Sequence, residues 1–439
     1  MTIDALMAYL HTGAGASVDT RTLRAGEVFF ALPGTRTHGA AYASEAIAKG
    51  AAAVVLPEGI PTNLPPEKVV FHPDPLRLLG EVAAAYRRRF SLPVIAIGGS
   101  NGKTTTKALL GHLLSAHAPT LVSPRSWNNH IGVPLTLLQL SPAHRFAVIE
   151  IGDNHPGEVR ALCEMIQPTI GLLTNIGEDH LEGYGTIERN LATKWELVEY
   201  LLTQPEPVLF LNGEDPLLSA QATPPTLRRY VFGNAPGSIA TGKWHPLNWT
   251  TATMTGEIWG EPYQAEVPLW GSYNRLNVLA ALGIARLFDL PLSTLLQALR
   301  TFQGEAYRSQ VLQKNKQVII LDAYNANPTS LAASLSALWE MLKPEDRVAL
   351  VLGQMEELGD YAPEAHRRAI ELLLPHASQI VGVLFIGRYW ESIMKAELPF
   401  LYQLAMNVES LHGLPSWLEE APILYLKGSR SQRLERLVK

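Results

Sequence analysis

The sequence predicts an α/β protein of three domains: a central doubly wound, mostly parallel sheet carrying a phosphate loop, a small α/β domain before it and a Rossmann-like α/β domain after it. Three observations predict this. Short apolar strands alternate with amphipathic helices along nearly the whole chain. One strand, at 94–97, runs straight into Gly98-Gly99-Ser100-Asn101-Gly102-Lys103-Thr104-Thr105. The 439 residues, 47% of them hydrophobic, are enough for about three separately buried cores.

An apolar segment at 27–32, a turn at Pro33-Gly34, a helical run at 42–49 and a buried strand at 51–56 make the first small unit. A Pro-rich stretch at 61–66 and a helix ending at Arg89 follow, and the break Ser91-Leu92-Pro93 closes the first domain at 1–90. The basic run Arg87-Arg88-Arg89 reads as a solvated helix end. Beyond it, strands at 147–151, 170–174 and 208–212 alternate with helices, so ligands are expected at the strands' carboxyl ends. Alternating Thr, Trp and Tyr over 244–268 suggests antiparallel strands, and a helix from Asn274 through Phe288 leads to the end of a 91–305 domain. The remainder, 306–439, repeats the theme with strands at 318–322, 347–353, 383–386 and 423–427 and helices at 330–341 and 364–374. There are no internal repeats and no low-complexity linkers.

A net charge of −5 gives no reason to expect a polyanion, so no nucleic-acid partner is predicted. The single cysteine, Cys163, excludes an internal disulfide, fits a reducing compartment and falls in a helix core at 159–166. The N-terminus lacks the pattern of a secretory signal, and no apolar run approaches a membrane span. A cytoplasmic protein without membrane insertion is expected.

In the glycine-rich turn, Gly99 and Gly102 let the backbone N–H groups of Ser100, Asn101 and their neighbours converge on an anion, at a helix N-terminus that adds its dipole. Lys103 would neutralise the β- and γ-phosphates, and the Thr104 hydroxyl is placed for Mg²⁺, which points to ATP. Ile97 stands where the general pattern has its first glycine, and a strand-to-helix turn without a ligand is the alternative. Glu150 ends an apolar strand beside this loop and suits Mg²⁺, which prefers oxygen, although a carboxylate there can also cap a helix. His180 and Lys194 follow the next strand.

Asn128-Asn129-His130-Ile131-Gly132-Val133-Pro134-Leu135-Thr136, Glu150-Ile151-Gly152-Asp153-Asn154-His155-Pro156-Gly157-Glu158, Asn175-Ile176-Gly177 with His180-Leu181-Glu182-Gly183, and Tyr324-Asn325-Ala326-Asn327-Pro328 together resemble the Mur ligases. Asp19-Thr20-Arg21, Phe29-Phe30-Ala31-Leu32-Pro33-Gly34 and Lys427-Gly428-Ser429-Arg430-Ser431 extend the resemblance over essentially the whole chain. Each short motif is weakly specific; their order and spacing carry the resemblance. The chain departs from the family pattern at Ser126, often Asn, at Tyr273, often His, at Gln354 in a usual Leu-Gly-Asp, and at Leu321, the first of a frequent Asp pair that leaves Asp322.

The resemblance implies a cytoplasmic, monomeric, ADP-forming amide ligase of peptidoglycan synthesis. Its dipeptide-adding branch, favoured by the Tyr324 motif over siblings with Asp-Asn-Pro-Arg or Asp-Asp-Pro-Asn, joins D-alanyl-D-alanine to UDP-N-acetylmuramoyl-tripeptide (UDP-MurNAc-tripeptide) through an acyl phosphate. By the same resemblance Lys103, Glu150, His180 and Lys194 are catalytic, one Mg²⁺ sits on Thr104 and Glu150, a second lies near His180, and Lys194 matches a lysine that is often carbamylated. Asn274 and Asn277 match the adenine-side helix start, with N-capping the plainer role for Asn274. Arg308, Asp322, Tyr324 and Asn325 match positions that meet the nucleotide when the last domain closes. Thr20 and Arg21 are candidates for uridine or diphosphate contact, although a surface turn would read similarly. Asn128, Asn129 and Thr136 fall on the substrate side, and Lys427, Ser429 and Arg430 on the incoming dipeptide. Domain closure would keep water from the acyl phosphate. A sibling ligase adding a single amino acid and a nucleotide-binding switch are the alternatives.

Overall fold

A computed structural model describes residues 1–35, 37–393, 397–411 and 413–438. Three sheets follow one another along the chain. The first holds four parallel strands in the order β1 (Ala16–Ser17), β2 (Val28–Phe30), β3 (Ala53–Pro57) and β4 (Val69–His72). It is accompanied by α1 (Ile3–Leu10), α2 (Ala43–Ala48) and α3 (Pro75–Arg87). Asp74 starts α3 by accepting from the Leu76 and Arg77 N–H groups, and Pro75 sits in the first turn, where no intrahelical donor is needed.

The central sheet is built from β5 (Val94–Gly98), β6 (Thr120–Val122), β7 (Phe146–Glu150), β8 (Ile170–Leu173), β9 (Val208–Asn212), β10 (Arg228–Phe232), β11 (Ala240–Pro246), β12 (Ala252–Ile258) and β13 (Glu261–Val267). Their order is β13-β12-β11-β10-β9-β8-β5-β7-β6. Pairing is parallel from β6 to β11 and antiparallel only at β11-β12 and β12-β13, as the alternation over 244–268 predicts. The helices of this unit are α4 (Lys103–Ser115), α5 (Gly132–Leu137), α6 (Glu158–Ile166), α7 (Leu181–Tyr184), α8 (Ile187–Leu201), α9 (Pro216–Ser219), α10 (Asn274–Arg286) and α11 (Leu292–Leu299). Strands β5, β7, β8 and β9 are buried along their whole length, as parallel strands covered on both faces require.

The third sheet has the order β14-β15-β19-β16-β17-β18, with β14 (Gln310–Lys314), β15 (Gln317–Asp322), β16 (Val348–Gly353), β17 (Ile380–Ile386), β18 (Leu401–Ala405) and β19 (Ile423–Lys427). Among the described residues, only β14 runs antiparallel to its neighbour in this sheet. Its helices are α12 (Pro328–Met341), α13 (Ala362–Glu371), α14 (Arg388–Ile393) and α15 (Ser416–Glu420).

Two sequence-based expectations are corrected. Arg87 is not part of a solvated helix end: it is buried, and its guanidinium donates to the carbonyls of Ile166, Phe90 and Gln167, tying the end of α3 to the end of α6. The hydrophobic core of the first unit also continues into the central one, since Leu79, Val82 and Tyr86 of α3 pack in one cluster with Leu137, Leu162 and Ile166. Cys163 lies in that cluster, as expected. Among the described residues, no helix is long and apolar enough to cross a membrane.

Candidate active site

The central strand order reverses at β5, which has β8 on one side and β7 on the other. Loops leaving the carboxyl ends of these three strands therefore diverge around a crevice. The loop after β5 carries Gly99 at φ +120° and Gly102 at φ +82°, a conformation open to glycine. A side chain on Gly102 would overlap Asn277 Oδ1, and one on Gly99 would overlap the Thr174 hydroxyl. Both glycines thus serve the turn twice, through backbone conformation and through close approach. Lys103, the first residue of α4, folds back so that Nζ donates to the Gly99 and Ser100 carbonyls.

Register places Glu150 beside Ile97, at the foot of the same loop. Its carboxylate is buried, accepts from the Thr104 hydroxyl at 3.2 Å and from Asn128 Nδ2 at 2.8 Å, and has Lys107 Nζ 3.3 Å from Oε2. Among the described residues, none donates a hydrogen bond to Oε2. A hydroxyl and a carboxylate oxygen converging beside a phosphate loop suit a hard cation such as Mg²⁺.

Lys194, in the middle of α8, is buried in a different setting. Its Nζ lies 3.0 Å from Asp153 Oδ2 and 3.5 Å from Asp179 Oδ2, donates to Asn190 Oδ1, and stands 5.1 Å from the centre of the Tyr184 ring. The Tyr184 hydroxyl donates to Asp153. Burial alone would raise the Asp179 carboxyl, but Lys194, Lys103, the Ser100 hydroxyl and His180 together bring it below the usual carboxylate value. Such a cage suits the unmodified lysine as a cation. His180 points elsewhere: its Nδ1 is 2.7 Å from Glu357 Oε2 of the third unit, and this bond chiefly holds the Glu357 carboxyl low. Among the described residues, no three His, Cys, Asp or Glu side chains gather as a metal cage. The residues fit Mg²⁺ at Thr104 and Glu150, while Lys194 is engaged by Asp153, Asp179 and Asn190.

The third unit closes over this crevice. Asn327 donates to Asn101 Oδ1 at 2.9 Å, the Glu178 N–H donates to the Thr329 hydroxyl at 3.1 Å, and Arg368 pairs with Glu178 at 2.8 Å. Together the two units enclose a cleft of about 700 Å³. Its lining includes Ser100, Asn101, Gly102, Lys103, Thr104 and Thr105 of the loop, Glu150 and His180, Asn274 and Asn277, and Arg308, Asp322, Tyr324 and Asn325 from across the gap. Asn274 does not cap α10: its side chain donates to the Trp270 carbonyl and accepts from Asn277, so the two asparagines brace one another at the wall of the cleft. Ser429 and Arg430 also line it, the latter paired with Glu435. Lys427 lines it too, but its ammonium is engaged by Asp322 at 2.6 Å and the Asn325 carbonyl at 3.2 Å, a bracing role rather than a free grip on a substrate.

Of the remaining predicted substrate residues, Asn128 lines the cleft and four have other surroundings. Asn128 donates to Glu150 within that lining, as above. Asn129 accepts from the Ile131 and Gly132 N–H groups and so caps the turn into α5. Thr136 is fully buried, its hydroxyl donating to the Gly132 carbonyl, which places it in the core. Thr20 and Arg21 follow β1 in the first unit, where the Thr20 carbonyl accepts from Lys49 and Arg21 pairs with Asp19. Sequence reasoning assigned nothing to Lys107, Asp153, Asp179, Tyr184 or Glu357. Lys107 was signalled only by its place one helical turn after Lys103.

A phosphate loop at the switch point of one α/β sheet, roofed by a second α/β sheet bearing its own charged residues, defines a multidomain nucleotide-dependent enzyme. Residues 14–87 match the catalytic domain of the Mur ligase family, 97–285 the Mur ligase middle domain and 307–396 the Mur ligase glutamate ligase domain. The chain belongs to the Mur ligase family. It is 31% identical to the UDP-N-acetylmuramoyl-tripeptide--D-alanyl-D-alanine ligase of Escherichia coli over 96% of this chain and 92% of that protein. It is 35% identical to the protein of the same name from Synechocystis over 80% of this chain and 74% of that one. Among solved structures, MurF from Acinetobacter baumannii superposes with a TM-score of 0.84 at 27% identity, covering 98% of this chain and 97% of that one. MurF from Thermotoga maritima in complex with ADP does so with a TM-score of 0.84 at 25% identity over the same shares.

Proposed function

We propose that this chain joins D-alanyl-D-alanine to UDP-MurNAc-tripeptide at the expense of ATP, releasing ADP and phosphate. The observation that carries the reading is the convergence of Lys103, Thr104 and Glu150 at the switch point, opposite Arg308, in a chain 31–35% identical to relatives bearing that name. A donor carboxylate must approach a polyphosphate of like charge, and Lys103 and Arg308 supply cations on opposite walls for that encounter. A carboxylate oxygen bonds to the γ-phosphorus as the bond to ADP breaks. The dipeptide amine then bonds to the acyl carbon, loses a proton and expels phosphate. Thr104 and Glu150 would hold Mg²⁺, which when bound supplies charge neutralisation at the phosphates.

In the same reading residues 1–90 hold the UDP end of the donor, 91–305 hold ATP, and 306–439 close on ATP and receive the dipeptide, with the protein working as a cytoplasmic monomer. The test is to incubate the full-length protein with ATP, Mg²⁺ and UDP-MurNAc-tripeptide, with and without D-alanyl-D-alanine, and to weigh the products. UDP-MurNAc-pentapeptide formed only with the dipeptide supports the reading. Products carrying one added amino acid, or phosphate release indifferent to any acceptor, would replace it with a sibling ligase or a nucleotide switch.

A further inference from the structure

We infer that Ser126, in the loop between β6 and α5, is a phosphoryl-contacting hydrogen-bond donor whose hydroxyl hydrogen is aimed only when the third unit closes, with Tyr324 as its positioning residue. This rests on the nucleotide reading of the cleft given above. The Ser126 hydroxyl oxygen accepts from the Tyr324 hydroxyl at 2.5 Å and from Arg308 Nη2 at 3.3 Å. Both donors come from the far side of the cleft, 198 and 182 residues away in the chain. The Arg308 guanidinium lies 3.9 Å over the Tyr324 ring, so the two arrive as one stacked unit.

A hydroxyl oxygen has two lone pairs and one hydrogen. Tyr324 and Arg308 take both lone pairs, and among the described residues the Ser126 hydrogen has no acceptor. Ser126, Tyr324 and Arg308 all line the cleft, and Arg308 Nε is buried there with no hydrogen-bond partner among the described residues. Two donor hydrogens are thus left unmet beside the phosphate loop, where a phosphate oxygen can accept both.

The loop is held firmly enough to act in this way. Ahead of Ser126, the Ser123 hydroxyl accepts from the Glu150 N–H at 3.1 Å, and the Arg125 carbonyl accepts from Lys107. Behind it, Asn128 donates to Glu150. Ser126 is therefore fixed to the strand end that bears Glu150, and only its partners depend on closure.

The experiment uses the full-length chain and its variants S126A, S126T, Y324F and the S126A/Y324F double. Affinities for ADP and for the β,γ-imido analogue of ATP are measured calorimetrically, followed by kcat and KM for ATP in the ligase reaction. S126A should lose roughly tenfold or more in its preference for the analogue over ADP and a similar factor in kcat, with ADP affinity changed less than about twofold. S126T, which keeps the hydroxyl, should restore most of both. The double variant should be no worse than the poorer single, because the two hydroxyls act as one unit. An S126A protein with unchanged analogue preference, or losses that multiply in the double, overturns the proposal. Since the binding comparison needs no acceptor, it decides this point even if the ligase reaction is not observed, and that absence would count only against the proposed function.

Discussion

Lys107 Nζ lies 3.3 Å from Glu150 Oε2, and both side chains are almost wholly removed from solvent. Lys107 also donates to the Arg125 carbonyl and stands 3.8 Å from Glu305, in the segment that leads to the third unit. One buried ammonium thus links the phosphate-loop helix, the strand bearing Glu150, the loop bearing Ser126 and the approach to the third sheet.

Lys107→Met should therefore do more harm than its distance from the phosphates suggests. Removing one partner of a buried pair leaves the other uncompensated, at a cost of about 3–5 kcal/mol. Denaturant unfolding should report a loss of this order, and the variant should also bind ADP less tightly through a misplaced Glu150. Unchanged stability would contradict the pairing.

The cage around Lys194 leads to a separate expectation. With Asp153 and Asp179 at 3.0 and 3.5 Å, the lysine works as the cation that lets two buried carboxylates coexist. Carbon-13 bicarbonate should give no carbamate resonance on the protein, and turnover should not depend on added bicarbonate. A carbamate signal lost in Lys194→Arg would contradict this account.

His366 makes stability depend on pH. It is buried in the third unit, accepts from the Met355 N–H at 3.0 Å, donates from Nδ1 to the Ala362 carbonyl at 2.6 Å and meets the Trp390 ring edge-on. Burial pulls its pKa down from 6.5 to about 4. Below pH 6.5 the unfolded chain takes up a proton that the folded one refuses, so this contribution is intact above 6.5 and is lost as pH falls towards 4. The loss amounts to roughly 3 kcal/mol by linkage. Unfolding free energies measured across this range should show the slope, and His366→Gln should flatten it. A slope that persists in the variant would assign it to other groups.

Gly102→Ala is predicted to abolish nucleotide binding while leaving the fold in place. The added methyl would overlap Asn277 Oδ1 at a residue with φ +82°, so the loop must move away from the cradle. Calorimetric titration with ADP should show at least a tenfold loss, and circular dichroism should show an unchanged spectrum. Wild-type affinity would refute the role given to this turn.

The buried strands were legible because parallel strands covered on both faces read as unbroken apolar runs, and Val208–Asn212 and Ile423–Lys427 are found where the sequence predicts them. Strands that went unread, such as β6, β14 and β18, are short or partly exposed and lack such a run. The phosphate loop was legible because its function is local. Lys107, Asp153 and the Ser126 hydroxyl were not, because their partners lie elsewhere in the sequence and only the fold brings them together. Arg87 was misread for the same reason: its acceptors at 166 and 167 lie on another helix end.

In the proposed reaction ATP activates the donor carboxylate as an acyl phosphate inside the cleft between the second and third units. This step is tested most directly by labelling that carboxylate of UDP-MurNAc-tripeptide with oxygen-18 and analysing the phosphate released during turnover with D-alanyl-D-alanine. One labelled oxygen is expected in each phosphate, in step with pentapeptide formed. Unlabelled phosphate, or label appearing without amide product, would contradict it.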